Sequence, residues 1–176
     1  EAEVEKSDSV SPDLAQKIRE RAIEMGFYAA NMPEDLGGGG LDCVSLSLVE
    51  RELGRANFAL QYLVGRPSNI LQACVGEQRD HYLFPCIRGE KTDCLAMTEP
   101  GAGSDLRSMQ CRADVDGDDY VINGTKHFIS HADIADFVIL FAATGEEESA
   151  RGPRKLISAF LVDKGTPGFS VRPGYH

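Results

Sequence analysis

Apolar residues recur at helical spacing early in the chain. Leu14, Ile18, Ala22 and Met25 share one face, Ser11 stands as an N-cap, Pro12 suits the first helical position, and Gly26 follows the last. The same period returns in Leu46, Val49, Leu53 and Ala56, with Glu50, Arg51, Glu52 and Arg55 on the wet side. Asp42 is placed to cap that second helix, and Leu41 and Leu46 are spaced for a hydrophobic staple. Phe58 to Val75 is largely apolar, but Gly65-Arg66-Pro67 interrupts it and predicts a kinked or split helix. Glu77 to Ile87 predicts a fourth helical stretch, disturbed near Pro85 and stopped by Gly89. Between the first two helices, Asn31 to Gly40 reads as a flexible connector. Its four glycines are not a P-loop, because no Lys-Ser/Thr follows them.

At about Lys91 the pattern shortens to that of strands. Thr92 to Met97 predicts one, and Gln110 to Val115 and Tyr120 to Ile122 flank an Asp116-Gly117-Asp118 turn. Asn123-Gly124 signals a two-residue hairpin, with Lys126 to Ser130 as its return strand. Asp136 to Ala142, Leu156 to Val162 and Phe169 to Val171 predict further strands, and the charged stretch Thr144 to Lys155 an exposed, mobile loop. Residues 1–10 are polar and expected to fray. Helices segregated from strands in this way mean an α+β fold, with a helical domain at 1–90 and a β-domain at 91–176.

Composition narrows the function classes. The formal net charge of −10 disfavours nucleic acid and anionic membranes as partners, because both need Lys and Arg to neutralise phosphates. Backbone N–H groups can still hold one phosphorylated small molecule. No apolar run approaches the roughly 20 residues of a membrane span, and the N-terminus lacks an apolar signal region. Cys43, Cys74, Cys86, Cys94 and Cys111 have neither zinc nor redox spacing and read as isolated thiols in a reducing compartment. His127 and His131 lack an evident third ligand, so no metal is expected. The chain does not begin with Met and stops at Gly174-Tyr175-His176, which suggests a piece of a larger polypeptide.

Two segments carry candidate chemistry. In Thr98-Glu99-Pro100-Gly101-Ala102-Gly103-Ser104-Asp105, proline fixes one turn dihedral and Gly101 and Gly103 permit positive φ and close backbone approach. Such a turn either closes an ordinary loop or aims N–H groups outward at an anion, with Thr98 and Ser104 adding hydroxyls. In the expected strand from Lys126, period two puts Phe128 and Ser130 on one face and His127, Ile129 and His131 on the other. That face is either a core ring beside a solvated hydroxyl or a platform for a planar heterocycle.

The order of motifs along the chain favours the cofactor readings. The Met32-Pro33-Glu34-Asp35-Leu36-Gly37-Gly38 loop, the Thr98 to Asp105 turn, Ile122-Asn123-Gly124-Thr125-Lys126, Phe128-Ile129-Ser130 and Phe160-Leu161-Val162 resemble the acyl-CoA dehydrogenase family in order and spacing. The resemblance implies an N-terminal helical domain and an incomplete, antiparallel β-barrel-like middle domain, with a C-terminal helical domain absent from this chain. It implies FAD, held by Leu95, Met97, Thr98, Gly103, Ser104, Phe128, Ile129 and Ser130. Leu95 to Ser104 would wrap the flavin ring and pyrophosphate, with Met97 and Thr98 at the isoalloxazine and Ser104 also where flavin meets thioester substrate. Phe128 would pack on the flavin and Ser130 hydrogen-bond near N5. The family's Trp-Ile-Thr is Phe-Ile-Ser here: Phe keeps the packing, and Ser keeps the hydroxyl with looser rotamer control.

The implied reaction is α,β-dehydrogenation of an acyl-CoA thioester. A carboxylate takes the α-proton, and hydride passes from the β-carbon to flavin N5. The family's catalytic glutamate lies beyond the region this chain matches, so no catalytic residue is assigned here, and Glu99 is read as a turn residue. The implied partners are an acyl-CoA substrate, electron-transfer flavoprotein as acceptor, and further copies of the chain in a dimer or tetramer. The implied setting is fatty acid or amino acid catabolism in a bacterial cytoplasm or the mitochondrial matrix. Acyl-CoA oxidases and flavin monooxygenases use the same flavin segments, and a non-catalytic binding homologue is a further reading. The family's acyl tail runs beside the helices corresponding to Asn57 to Val75, where Arg66-Pro67 hints at a non-standard pocket.

Overall fold

The computed structural model describes residues 4, 6, 10–150 and 152–172. The chain divides into two compact units, Glu1–Thr92 and Asp93–His176, the first helical and the second built on a sheet. The fold is therefore α+β, with helices preceding strands. The expected fraying of residues 1–10 lies, apart from 4, 6 and 10, outside the described residues, as do the last four residues; Val4 and Lys6 are helical.

In the first unit, α1 (Pro12–Glu24) starts with proline in its first turn after an extended Ser11. Ala22 is buried and Leu14 and Ile18 are half-buried, but Met25 is exposed. It lies beyond the last periodic turn, where the chain is already leaving the helix. The following segment is not the flexible connector expected of a glycine run. Met32 is fully buried. The N–H groups of Gly38, Gly39, Gly40 and Leu41 donate to the carbonyls of Pro33, Ala29, Met32 and Ala30 at 2.8–3.1 Å. Asp42 caps α2 (Cys43–Leu53), its carboxylate accepting from the N–H groups of Val44 and Ser45 at 2.8 and 2.9 Å. Leu46, Val49, Leu53 and Ala56 are half-buried on the inner face.

The apolar stretch after Asn57 is split as its sequence predicts: α3 (Phe58–Gln61) and a 3-10 turn at Tyr62–Val64 end before Gly65-Arg66-Pro67, and a second 3-10 turn follows at Asn69–Ala73. A groove here is lined by Phe27, Leu46, Val49, Leu53, Phe58 and Arg66. Arg66 pairs with Glu50 at 2.8 Å. The last helical stretch opens as a π-helical turn at Arg79–Leu83 before α4 (Phe84–Ile87). Pro85 offers no N–H and crowds the carbonyl four residues back, so the turn before it widens. Lys91 Nζ donates to that carbonyl, His81 O, at 3.0 Å.

The second unit holds a five-stranded sheet: β1 (Asp93–Ala96), β2 (Arg112–Asp116), β3 (Asp119–Asn123), β4 (Phe137–Glu147) and β5 (Arg154–Asp163). β4 is the central strand. Its continuous apolar run suits a strand covered on both faces, and Phe137 to Leu140 are all buried. β5 pairs with β4 antiparallel along one edge, while β1 and then β2 share the other, both parallel to it. The sheet is thus mixed rather than antiparallel throughout, and it is not closed.

Three sequence expectations change. Thr144 to Lys155 is not a loop throughout: only the part between Glu147 and Arg154 lies outside the strands. The β4–β5 pairing continues, with a register shift at Ala143/Gly145, out to Glu147 opposite Arg154, whose opposite charges form a cross-strand ion pair. Phe169 to Val171 is not a strand: Phe169 N–H closes a turn onto Thr166 O at 3.0 Å, and its side chain packs against the core. Lys126 to Ser130 is not a strand either, for reasons given below. The core gathers Cys94, Ala96, Met109, Cys111, Ala113, Ala135, Val138, Leu140 and Ala142.

Parallel strands cannot be joined by a tight turn. The connection from β1 to β4 therefore runs from residue 97 to residue 136, and it contains both segments singled out in the sequence.

Candidate functional site

β1 ends at Ala96, and the chain turns at once. Glu99 N–H donates to Ala102 O at 2.9 Å and Ala102 N–H to Glu99 O at 3.2 Å, closing a tight turn with Pro100 and Gly101 at its tip. Asp105 fixes the far side, its carboxylate accepting from Arg107 N–H at 3.1 Å and Ser108 Oγ at 2.6 Å. Both contacts, the hydroxyl first, hold its carboxyl below the ordinary range.

Beneath this turn lies a buried ion pair. Lys126 Nζ meets Glu99 Oε1 at 2.8 Å, with side-chain exposures of 7% and 3%. Glu99 also accepts from Gln110 N–H at 2.6 Å and Cys111 N–H at 2.9 Å, and Lys126 donates to Met97 O at 3.1 Å. One residue on, His127 N–H donates to Thr98 O at 2.9 Å. The two segments read separately from the sequence are therefore fastened together. Burial pushes the Glu99 carboxyl up, but the Lys126 hydrogen bond, the two backbone N–H groups and the Lys126 charge outweigh it and hold the carboxyl below the ordinary range. Glu99 is thus committed to structure, with donors on both oxygens.

The pair's pH dependence follows. A depressed folded pKa means that the stabilisation is fully present above the unfolded value, about 4.3 for Glu, and is lost as pH falls through the lower folded value. Thermal melts across that acid window are expected to show a falling Tm, with a shallower fall in Glu99→Gln; equal slopes would contradict this.

The Asn123-Gly124 hairpin does not form. β3 pairs with β2 alone, across a turn that joins Asp116 to Asp119. Gly124 instead presses on Cys111: a Cβ there would lie 2.6 Å from Cys111 Cβ. The chain is thereby led to Thr98 rather than back along β3. Phe128 and His131 adopt positive φ, 57° and 63°, which no strand accommodates. Exposure still alternates, through these left-handed residues rather than through a pleat. Phe128, at 70%, and Ser130 are exposed, while His127, Ile129 and His131 are half-buried. The Phe128 ring stacks on His127 at 3.8 Å between centroids. Burial lowers the His131 pKa, partly opposed by Asp133.

Of the residues singled out from the sequence, Leu95 is 41% exposed on β1, Met97 and Thr98 are half-buried at its exit, and Gly103 and Ser104 are exposed on the turn. Neither Gly101 nor Gly103 uses positive φ, and a Cβ on either would meet nothing within 4 Å. Nothing in the described chain requires glycine at these two positions. They leave the outer surface of the turn bare, beside the hydroxyls of Thr98 and Ser104. That surface, with the exposed Leu95 and Phe128 side chains, suits a flat apolar ring carrying a phosphate. Lys126, which ties the two segments together, is the candidate residue that the sequence pattern does not single out. Its signal was a single lysine in one motif and a single glutamate in the other. Among the described residues no group of three or more His, Cys, Asp or Glu could hold a metal ion, and no helix is long and apolar enough to cross a membrane.

Residues 1–90 match the family model of the acyl-CoA dehydrogenase N-terminal domain, and residues 94–176 that of the acyl-CoA dehydrogenase middle domain. The chain belongs to the acyl-CoA dehydrogenase family. Cyclohex-1-ene-1-carbonyl-CoA dehydrogenase of Geobacter metallireducens is 39% identical over 167 residues, covering 91% of this chain and 42% of that protein. The caffeyl-CoA reductase–Etf complex subunit CarC of Acetobacterium woodii is 34% identical over 171 residues, covering 94% and 44%. The crystal structure of an acyl-CoA dehydrogenase complexed with FAD from Bacillus anthracis matches with a TM-score of 0.73 at 31% identity, over 92% of this chain and 27% of that one. The chain thus spans less than half the length of these relatives.

Proposed function

We propose that this chain supplies the flavin-holding part of an FAD-dependent acyl-CoA dehydrogenase. The observation that carries this reading is the fastening of the β1 exit turn to the 126–131 segment through Glu99, Lys126 and the His127–Thr98 hydrogen bond. It ties together the two segments that carry the exposed Leu95 and Phe128 and the hydroxyls of Thr98, Ser104 and Ser130. Bound FAD would supply the acceptor for a hydride leaving the substrate's β-carbon.

The chain's own residues bind and orient. Leu95, Met97 and Phe128 offer apolar contact to the ring system. Thr98, Ile129 and Ser130 line its edge, the Ser130 hydroxyl as a hydrogen-bond donor. Gly103 and Ser104 offer the bare turn to the pyrophosphate, and Ser104 also faces the thioester. The proton-abstracting carboxylate is assigned to no residue of this chain. An acyl-CoA substrate, electron-transfer flavoprotein as acceptor, and a dimer or tetramer complete the proposal; the Etf in the name of the Acetobacterium relative supports the second of these. A bacterial cytoplasm or the mitochondrial matrix would house it.

The test is made on the full-length protein. It is expected to purify yellow, with an FAD spectrum that bleaches when acyl-CoA is added under anaerobic conditions. Absence of FAD binding would sink the proposal. Bleaching followed by rapid reoxidation in air, with peroxide release, would replace it with an acyl-CoA oxidase.

A further inference from the structure

Glu99 and Lys126 ask for an account beyond stability. A buried ion pair must overcome the desolvation of both charges, and an apolar pair of similar volume commonly serves a fold as well. What an apolar pair could not do is hold three backbone groups at once. Glu99 gathers the N–H groups of Gln110 and Cys111 at the entry to β2, and Lys126 gathers the Met97 carbonyl at the exit of β1. Directly beside the pair on the chain stand Thr98 and, two residues from Lys126, Phe128. We propose that Glu99 and Lys126 are positioning residues for the flavin, setting the register between the Met97–Ser104 turn and the Phe128–Ser130 segment and balancing each other's charge beneath them. This rests on the flavin-holding function proposed above.

Two consequences separate positioning from mere structure. Register fixes cofactor affinity. Charge balance fixes the flavin's reduction potential, and the two single neutralisations must move it in opposite directions. In Lys126→Met, Glu99 keeps its two backbone donors but loses its counter-charge, so at a pH high enough to keep it ionised it adds a negative charge near the flavin and lowers the potential. In Glu99→Gln, Lys126 remains on the Met97 carbonyl and raises it. Both are expected to weaken FAD binding at least tenfold. The double variant Glu99→Gln/Lys126→Met carries no unbalanced buried charge. It is expected to regain most of the lost Tm and a potential near that of the parent, while FAD binding stays at least tenfold weaker.

The measurements are FAD Kd by fluorescence quenching, flavin potential, and Tm, all on the full-length protein. A folded variant with FAD Kd within twofold of the parent overturns the proposal, as do single variants whose potentials shift the same way. A double variant that does not fold marks the pair as structural and overturns it too. A parent protein that binds no FAD instead overturns the proposed function itself, before any variant is compared.

Discussion

Gly65→Ala is expected to destabilise the protein by about 2–5 kcal/mol. A Cβ at residue 65 would lie 1.8 Å from Tyr28 Cε2, 2.3 Å from Cζ and 2.4 Å from Cδ2, inside the ring's van der Waals surface. Tyr28 cannot swing away cheaply, being only 9% exposed. Nor can the backbone retreat, because Gly65 O accepts from Ala29 N–H at 3.0 Å and so ties the two segments together. Residue 65 also holds φ at +73°, which a side chain resists by about 1–2 kcal/mol, and overpacking adds roughly 1–3. Thermal unfolding of full-length protein checks this against Gly76→Ala. Gly76 has φ +51° but no atom within 4 Å of its Cβ position, so that variant pays only the conformational part. Repeating Gly65→Ala in a Tyr28→Ala background should recover the overpacking share. An equal loss in both backgrounds would mean that the ring is not the obstacle.

That contact shows where sequence reading stops. Gly65 was legible as a breaker, and the helix did split there, because a Gly-Arg-Pro run breaks helices by local means. The aromatic ring pressed against it comes from 37 positions earlier, and no period connects the two. The same division runs through the site. The Asp42 cap, the β2–β3 turn and the apolar run of β4 depend on neighbours in sequence and are legible there, whereas Ser11 precedes α1 without a side-chain cap bond. Asn123-Gly124 has the local signature of a hairpin, yet Gly124 serves to approach Cys111 rather than to turn. The charged stretch after Thr144 has the composition of a loop, yet Glu147 and Arg154 face each other across strands and extend the ladder. Leu95 to Ser104 and Phe128 to Ser130 were recognisable as candidate segments. The Glu99–Lys126 link that joins them was not, because it spans a hairpin.

Gly124→Ala and Gly103→Ala should separate folding from cofactor binding. At Gly124 a Cβ would meet Cys111 at 2.6–2.7 Å from Cβ, Cα and Sγ. Cys111 is anchored on both sides, its N–H on Glu99 at 2.9 Å and its carbonyl accepting from Ala143 N–H at 2.8 Å. Neither neighbour can yield without disturbing β2 or the ion pair, so Gly124→Ala is expected to cost about 1–3 kcal/mol of overpacking in the cofactor-free protein. Because Lys126 lies two residues on, FAD affinity should fall with it. Shortening the neighbour with Cys111→Ala removes only Sγ and leaves the Cα and Cβ contacts, so it should not rescue. Gly103 presents the opposite case, since no atom lies within 4 Å of its Cβ position and its φ is ordinary. Gly103→Ala should leave the stability of the flavin-stripped protein within about 0.5 kcal/mol of the parent's, and its Tm essentially unchanged, as for a surface change away from any special feature. It should still weaken FAD binding, because the added methyl occupies the surface offered to the pyrophosphate. The decisive readout is the pair of differences, apo Tm and FAD Kd, for each variant. If Gly103→Ala binds FAD as the parent does, the bare turn is not the phosphate surface; if Gly124→Ala keeps the parent's apo Tm, the Cys111 contact does not route the chain to Thr98.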